Sequence, residues 1–207
     1  MADPSYIVDG VLTDGEAWGA VDSDVLTGTA TSITWTSTDD GQVGDWSQYL
    51  DMVIICYVRT DGTGNSYVKL GFNNLTTDLF DTVQMEGDGA TDAGSSNTVY
   101  GYNFIGKAGS ALTGAPANCF AAIVCHVMDI NASKYKNVLS YNAVDMDTTD
   151  ADESRAMIYS STWGAADATG LDKHGPISRM DLGIFGGTNF VAGCRFDLFG
   201  VLPRMVA

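Results

Sequence analysis

The sequence predicts an all-β protein, an antiparallel two-sheet sandwich of the jelly-roll type with about 8–10 strands. Apolar residues make up 45% of the 207 residues, and the polar remainder is rich in Gly, Thr, Ser, Asp and Asn. That composition is typical of strands joined by turns. Short apolar runs recur between Gly- and Asp-rich turns, and none of them carries the caps of a helix. An immunoglobulin-like sandwich is the alternative that fits the same pattern.

The length suits one large β domain, which we place at residues 16–207 behind an N-terminal arm of residues 1–15. The net charge is −16, and a surface of that sign repels nucleic acid and anionic membranes. No run approaches the ~20 apolar residues of a membrane span. No basic region precedes an apolar stretch at the N-terminus, so no signal peptide is expected. We therefore expect neither a nucleic-acid nor a membrane partner.

In the first half of the chain, Leu50–Arg59 is the most apolar run. Both of its faces are apolar, which predicts a central strand buried on both sides. The turn residues Asp61–Asn65 follow, so Tyr67–Phe72 is expected to return as its hairpin partner. Residues 73–96 are interpreted as a long connection, because their second half is poor in apolar residues.

The remaining strands follow from alternation and from β-branched residues. Residues 119–130 form the strongest predicted core strand, because Val, Ile and Phe are enriched there without helix caps. Ile33 and Trp35 are expected to share one buried face. The predicted strands are Trp18–Leu26, Thr31–Thr36, Thr98–Ile105, Cys119–Ile130, Tyr135–Val144 and Ala156–Trp163, with one further strand at Tyr6–Val8 in the arm.

The C-terminal stretch, Ile177–Leu202, contains two alternating runs separated by a Gly/Asn turn: Ser178–Phe185 and the run that contains Cys194, Phe196 and Leu198. Their alternation predicts an antiparallel hairpin with one buried and one charged face. A turn centred on Thr188 sets the register of that hairpin. The predicted opposed pairs are Arg179 with Asp197, Asp181 with Arg195, Met180 with Phe196, and Leu182 with Cys194.

The same stretch carries a recognisable motif, Asn-Phe-x-x-Gly-x-x-Phe-x-Leu-Phe-Gly, which ends at Gly200. It resembles the C-terminal signature G-N-F-x-x-G-S-x-F-x-L-Y-G-I of a group of small phage virion proteins. Cys194 replaces the usual Ser, Phe199 the Tyr and Val201 the Ile. The segments 49–59, 68–73 and 135–140 resemble the same group, so the resemblance covers about residues 20–203.

The resemblance implies a single-domain jelly-roll-like virion protein, made in the host cytoplasm. We expect a capsid decoration (cement) protein on the outside of the head, which stabilises the shell. Its expected partners are the major capsid protein and itself, as a homotrimer. Interface candidates are Tyr6, Ile7, Val8 and Trp18. The alternative is a tail-fibre or tail-tip protein that binds host surface glycans.

An acidic segment near residue 150 supplies the weak candidates for a metal site. A hard cation such as Ca²⁺ could use carboxylates there, but the spacing lacks the glycine and the final glutamate of an EF-hand. A solvated acidic loop explains the cluster better, so we predict no metal and no cofactor. The candidates are Asp145, Asp147, Asp150 and Asp152.

Catalytic motifs are missing. His126 and His174 are the only histidines, no Gly-x-Ser-x-Gly elbow occurs, and the Gly-rich stretches lack both the Walker A and the dinucleotide-binding patterns. We therefore expect no enzymatic activity. Four cysteines lie inside apolar runs without metal-ligand spacing, which predicts buried free thiols.

Four aromatic residues, Tyr100, Tyr102, Phe104 and Trp163, could form a platform on which a sugar stacks. Aromatic residues of this kind more often lie in a core or a subunit interface. A core or interface role is therefore the favoured interpretation.

Overall fold

A computed structural model describes residues 7–8, 11–12, 18–64, 66–75, 80–87, 92–100, 102–111, 115–146, 154–164 and 175–202. Within these ranges the chain is built from strands, apart from one 3₁₀ turn at Trp46–Gln48. The strands are β1 Ile7–Val8, β2 Val11–Leu12, β3 Trp18–Val25, β4 Ser32–Thr36, β5 Asp51–Val58, β6 Tyr67–Phe72, β7 Phe80–Gly87, β8 Asp92–Tyr100, β9 Asn103–Lys107, β10 Ala121–Met128, β11 Lys136–Val144, β12 Arg155–Trp163, β13 Arg179–Ile184 and β14 Arg195–Val201.

Two antiparallel sheets form the sandwich. The large sheet has eight strands in the order β3-β14-β5-β10-β11-β12-β7-β8, and the small sheet has four in the order β4-β13-β6-β9. β1 and β2 pair with each other as a separate two-stranded ribbon. The predicted all-β two-sheet fold is confirmed.

The strand order is that of a jelly roll. Eight strands (β3, β4, β5, β6, β9, β10, β13 and β14) form two facing sets of four. When these strands are numbered one to eight along the chain, the four of the large sheet lie in the order one-eight-three-six. The four of the small sheet lie in the order two-seven-four-five. Because β3 and β4 lie in different sheets, the immunoglobulin-like alternative, in which the first two strands share a sheet, is excluded.

Two additional hairpins extend the large sheet beyond this jelly roll. β7 and β8 are inserted between β6 and β9, while β11 and β12 are inserted between β10 and β13, and the two insertions join through the β12–β7 pairing. These insertions raise the number of strands above the predicted 8–10. The prediction of a long connection over residues 73–96 was wrong, because most of this segment forms β7 and β8. Strands of polar sequence can form when a neighbouring strand satisfies their backbone hydrogen bonds.

Both predicted hairpins were wrong for one reason. β5 and β6 lie in different sheets, and so do β13 and β14, because all consecutive strands of this jelly roll except β6 and β9 cross from one sheet to the other. β13 pairs with β4 and β6, whereas β14 pairs with β3 and β5. Residues predicted to be opposed in one sheet, such as Met180 and Phe196, are instead buried in the core between the two sheets.

The charged residues of these strands pair along the strand instead of across it. Arg179 Nε donates to Asp181 Oδ2 at 2.9 Å, and Arg195 Nε donates to Asp197 Oδ2 at 2.7 Å. Side chains two residues apart share a face of a strand, so each pair forms without the predicted hairpin.

The core lies between the inner faces of the two sheets. Ile33 and Trp35 are buried as predicted, and β10 buries alternate residues from Ala121 to Val127. The prediction of free thiols is confirmed. Three of the four cysteines are buried, and Cys119 is half-buried. β5 lies inside the large sheet as predicted, but its outer face is only partly covered, since Tyr57 is exposed.

One glycine in the core strand β14 is required by packing. A Cβ added to Gly200 would lie 2.2 Å from the ring of Tyr49. The Tyr49 ring fills this space, and its hydroxyl donates a hydrogen bond to the carbonyl of Val43 at 2.7 Å. The glycine in the C-terminal motif therefore makes room for a buried aromatic ring.

Candidate interaction surfaces

The outer face of the large sheet is apolar over five adjacent strands, β5, β10, β11, β12 and β7. We call this surface the apolar face. Its central row is formed by cross-strand neighbours, one from each strand. In order across the sheet these are Ile55, Val124, Tyr141, Ile158 and Met85.

Two flanking rows complete the apolar face. One runs from Val53 to Val83, the other from Tyr57 to Gly87. Their interior members are His126, Leu139 and Ser160 in the first row, and Ala122, Ala143 and Ala156 in the second.

Most of the apolar face is open to solvent, although Val53 is only 2% exposed, and its three rows contain no Asp, Glu, Lys or Arg. Tyr141 is 52% exposed and Met85 58% exposed. A concave groove lies at one end, where Met85, Tyr141 and Ile158 contribute to its lining. Soluble monomers rarely expose contiguous apolar patches larger than a few hundred Å², so this surface is a candidate for contact with another protein.

The single histidine on this face is held in place by a carboxylate. His126 Nε2 lies 2.8 Å from Asp51 Oδ2, and the other oxygen of Asp51 accepts a hydrogen bond from the backbone N–H of Asp129 at 2.7 Å. The cross-strand neighbours of His126 are Val53 and Leu139, and neither side chain is a nucleophile. His174 lies outside the described residues.

The predicted interface residues lie at the N-terminal end. Tyr6 falls outside the described residues, and Ile7 and Val8 form β1, which pairs with β2. Trp18 begins β3, the edge strand of the large sheet, and is 52% exposed, with its ring centroid 6.3 Å from that of Phe199. Trp18 therefore remains a candidate for an intermolecular contact.

Of the weak metal candidates, the structure describes only Asp145. Its Oδ1 accepts a hydrogen bond from Ser154 Oγ at 2.8 Å. Asp147, Asp150 and Asp152 lie outside the described residues, and the described part of the chain holds no group of three or more His, Cys, Asp or Glu side chains placed to bind a metal ion.

The outer face of the small sheet carries a cleft of about 470 Å³. Gly71 of β6 and Gly183 of β13 are diagonal neighbours at its floor, since Gly71 pairs with Asp181 and Gly183 pairs with Lys69. A glycine inside a strand often marks a place where a ligand or another backbone approaches closely. We call this cleft the glycine trough.

Lys69 forms one side of the glycine trough. Its stem lies across Gly183, where an added Cβ would be 3.1 Å from Lys69 Cε. Its ammonium lies 5.1 Å from the centroid of the Tyr102 ring. No described carboxylate lies within ion-pair distance of Lys69, although the chain has 26 acidic residues against 10 basic ones.

Asp181 also lines the glycine trough. Its carboxylate accepts hydrogen bonds from Thr34 and Arg179. Burial raises the pKa of this carboxyl, but hydrogen bonds from Arg179 and Thr34 outweigh burial and hold the pKa below its usual range. Thr34 Oγ1 donates at 2.6 Å and Arg179 Nη2 at 2.7 Å. Asp181 is therefore ionised but neutralised by Arg179, whereas Lys69 has no such neighbour among the described residues.

An aromatic cluster borders the glycine trough. The ring centroid of Phe104 lies within 5.3–5.6 Å of those of Phe185, Tyr67 and Tyr102. Phe185 is 43% exposed and Tyr102 lines the cleft.

This cluster differs from the predicted platform. Tyr102 and Phe104 do lie on an outer surface, but Trp163 is fully buried in the core. Tyr100 ends β8 in the large sheet, whereas Phe104 belongs to β9 in the small sheet, because the predicted strand 98–105 is in fact two strands. Sequence reasoning missed Tyr67, Phe185 and Lys69. Tyr67 and Lys69 alternate with buried residues on one predicted strand. That alternation was the sequence signal that could have placed both side chains on the outer face of the sheet.

The chain matches no protein-family model and no curated protein. Among the described residues, no helix has both the length and the apolar character needed to cross a membrane.

Proposed function

We propose that this chain is a structural protein of a phage virion, a capsid decoration (cement) protein bound to the outside of the head. The observation that carries the proposal is the apolar face, since a broad uncharged surface on a chain of net charge −16 favours assembly with protein. The jelly roll and the resemblance of the C-terminal motif to small phage virion proteins support the same function. We propose no catalytic role, cofactor, nucleic-acid partner or membrane partner.

The apolar face is proposed to contact further copies of this chain in a homotrimer. Five strands spaced by about 4.8 Å and three rows spaced by about 6.8 Å give a projected area of roughly 500 Å². That is about three fifths of the ~800 Å² that each partner contributes to a standard interface. The face thus supplies the centre of an interface, and surrounding residues supply its rim.

The charge distribution allows a second copy as the occupant. Two copies with a charge of −16 each repel at long range, and this repulsion is smallest where the touching surfaces carry no acidic side chain. Contact with the major capsid protein is assigned to the other candidates, Trp18 and the N-terminal residues Tyr6, Ile7 and Val8.

Self-association is tested by sedimentation analysis of the purified chain at low and high salt. Because salt screens repulsion between acidic copies, we expect a trimer whose population rises with salt. The double substitution Tyr141→Glu with Ile158→Glu should give a monomer, because it places carboxylates in the centre of the apolar face. Thr36→Glu, an exposed position on the small sheet, is the matched control and should remain trimeric.

A monomeric wild-type chain at all salt concentrations would refute self-association through this face. So would a charged double variant that assembles like the wild type. Far-UV circular dichroism establishes that each variant is folded, and exposed positions are chosen so that the core is not disturbed.

Location on the virion is tested by immunogold electron microscopy of intact virions of the encoding phage. Label distributed over the head is the expected result. Label confined to the tail would replace this proposal by the alternative, a tail-fibre or tail-tip protein that binds host glycans, and absence of label would contradict both.

A further inference from the structure

The glycine trough combines features that a polyhydroxylated ligand with one negative charge would use. Its volume of about 470 Å³ falls in the usual range for small-molecule sites. Tyr102 lies on one wall, and hydroxyl and amide side chains surround the floor. The uncharged polar residues of this lining are Thr31, Ser32, Asn74, Thr188 and Asn189.

We propose that the glycine trough binds a saccharide that carries a carboxylate, with a sugar ring against Tyr102 and the carboxylate at Lys69. The apolar C–H face of a sugar ring packs well on an aromatic side chain. Gly71 lines the cleft, and because it has no side chain the ring can approach the sheet closely there. This site lies on the sheet opposite the apolar face, so it does not depend on the proposed assembly.

Lys69 selects the charge of the ligand. Its ammonium has three donors, and no described carboxylate or carbonyl occupies them. Asp181 cannot fulfil the same role for a cationic ligand, because Arg179 and Thr34 already saturate it. The trough therefore offers one available cation and no available anion, which favours an acidic over a neutral saccharide.

Other ligand classes fit less well. Nucleic acids and polyphosphates require several cations to neutralise their phosphates, and the described lining of the trough offers Lys69 alone. An extended peptide would add to a sheet edge, whereas Gly71 and Gly183 lie in β6 and β13, the two interior strands of the small sheet.

The test is calorimetric and NMR titration of the full chain with an oligomer of galacturonic acid and with the corresponding neutral oligomer of galactose. We expect the acidic oligomer to bind about ten-fold more tightly, equal to about 1.4 kcal/mol. Lys69→Gln should reduce the affinity for the acidic oligomer to that for the neutral one, whereas Lys69→Arg should restore most of the difference.

Tyr102→Ala should abolish binding of both oligomers, and Tyr135→Ala, at an exposed tyrosine outside the trough lining and outside the apolar face, is the matched aromatic control that should change neither. Circular dichroism separates loss of binding from loss of folding. Failure of the wild-type chain to bind either oligomer would overturn the proposal. Binding of the acidic oligomer that is unchanged in Lys69→Gln would also overturn it, because the ligand would then bind elsewhere.

Discussion

Replacement of Trp163 by alanine is expected to destabilise the fold strongly. Trp163 is fully buried at the end of β12. Its ring packs edge-on against Phe72 of the small sheet at a centroid distance of 5.3 Å, and the ammonium of Lys136 lies 5.9 Å from its ring. Removing a buried aromatic side chain of this size costs about 3–5 kcal/mol, of which the contact with Phe72 accounts for about 0.5–1.5 kcal/mol.

The indole N–H makes a second, more specific variant informative. Trp163 Nε1 is buried, and none of the described residues accepts a hydrogen bond from it. A buried donor without an acceptor costs about 1–3 kcal/mol. Trp163→Phe removes that donor and keeps an aromatic ring against Phe72, so its net loss should be no more than about 1.5 kcal/mol.

The assay is urea unfolding followed by far-UV circular dichroism, which does not depend on tryptophan emission. With a slope of about 2 kcal/mol per M, Trp163→Ala should lower the unfolding midpoint by about 2 M. Ser160→Ala, an exposed position on the same strand, is the control and should change stability by less than about 0.5 kcal/mol. Equal losses in the alanine and phenylalanine variants would refute the reasoning, as would a loss below about 1 kcal/mol in the alanine variant.

Three further predictions follow from packing, charge and burial. Gly200→Ala should cost more than about 2 kcal/mol in urea unfolding, because its Cβ would collide with Tyr49, whereas Gly28→Ala, with nothing within 4 Å of an added Cβ, should be neutral or slightly stabilising. Hydrogen bonds from Arg195 lower the pKa of Asp197, so the stability that this carboxylate adds is present above about pH 4 and is lost as the pH falls through its folded pKa. The difference in unfolding free energy between the wild type and Asp197→Asn should therefore shrink between pH 6 and pH 2.5, and a constant difference would contradict it. Burial raises the pKa of three thiols, so a thiol reagent should modify one cysteine rapidly in the native protein and all four after unfolding. The slow thiols are Cys56, Cys125 and Cys194, and the fast one is Cys119.

The sequence was sufficient to predict the fold class and most strands, because alternation and β-branched residues are local signals. Cys119–Ile130 and Ala156–Trp163 were placed within a few residues of β10 and β12. The pairing of strands was not predictable in the same way. The runs before and after Thr188 alternate equally well whether they form one hairpin or cross between two sheets.

The candidate surfaces, like the strand pairing, could not be predicted from local sequence signals. The apolar face arises from residues that are far apart in the chain, such as Ile55, Tyr141 and Met85, so only the register of five strands reveals it. The sequence predicts Trp163 in the same platform as Tyr102 and Phe104, because residue type alone does not distinguish a buried aromatic side chain from an exposed one. The glycine trough depends on Gly71 and Gly183 being neighbours, which required the pairing of β6 with β13.

The position of β14 has a consequence for biosynthesis. β14 is the last strand of the described chain, yet it lies between β3 and β5 and supplies the only sheet neighbour that β3 has. The hairpins β7–β8, β10–β11 and β11–β12 join sequence neighbours and can form while the chain is still being synthesised. The jelly roll, in contrast, closes only after residues 195–201 have left the ribosome, so the first large strand to emerge waits unpaired until nearly the whole domain has been translated.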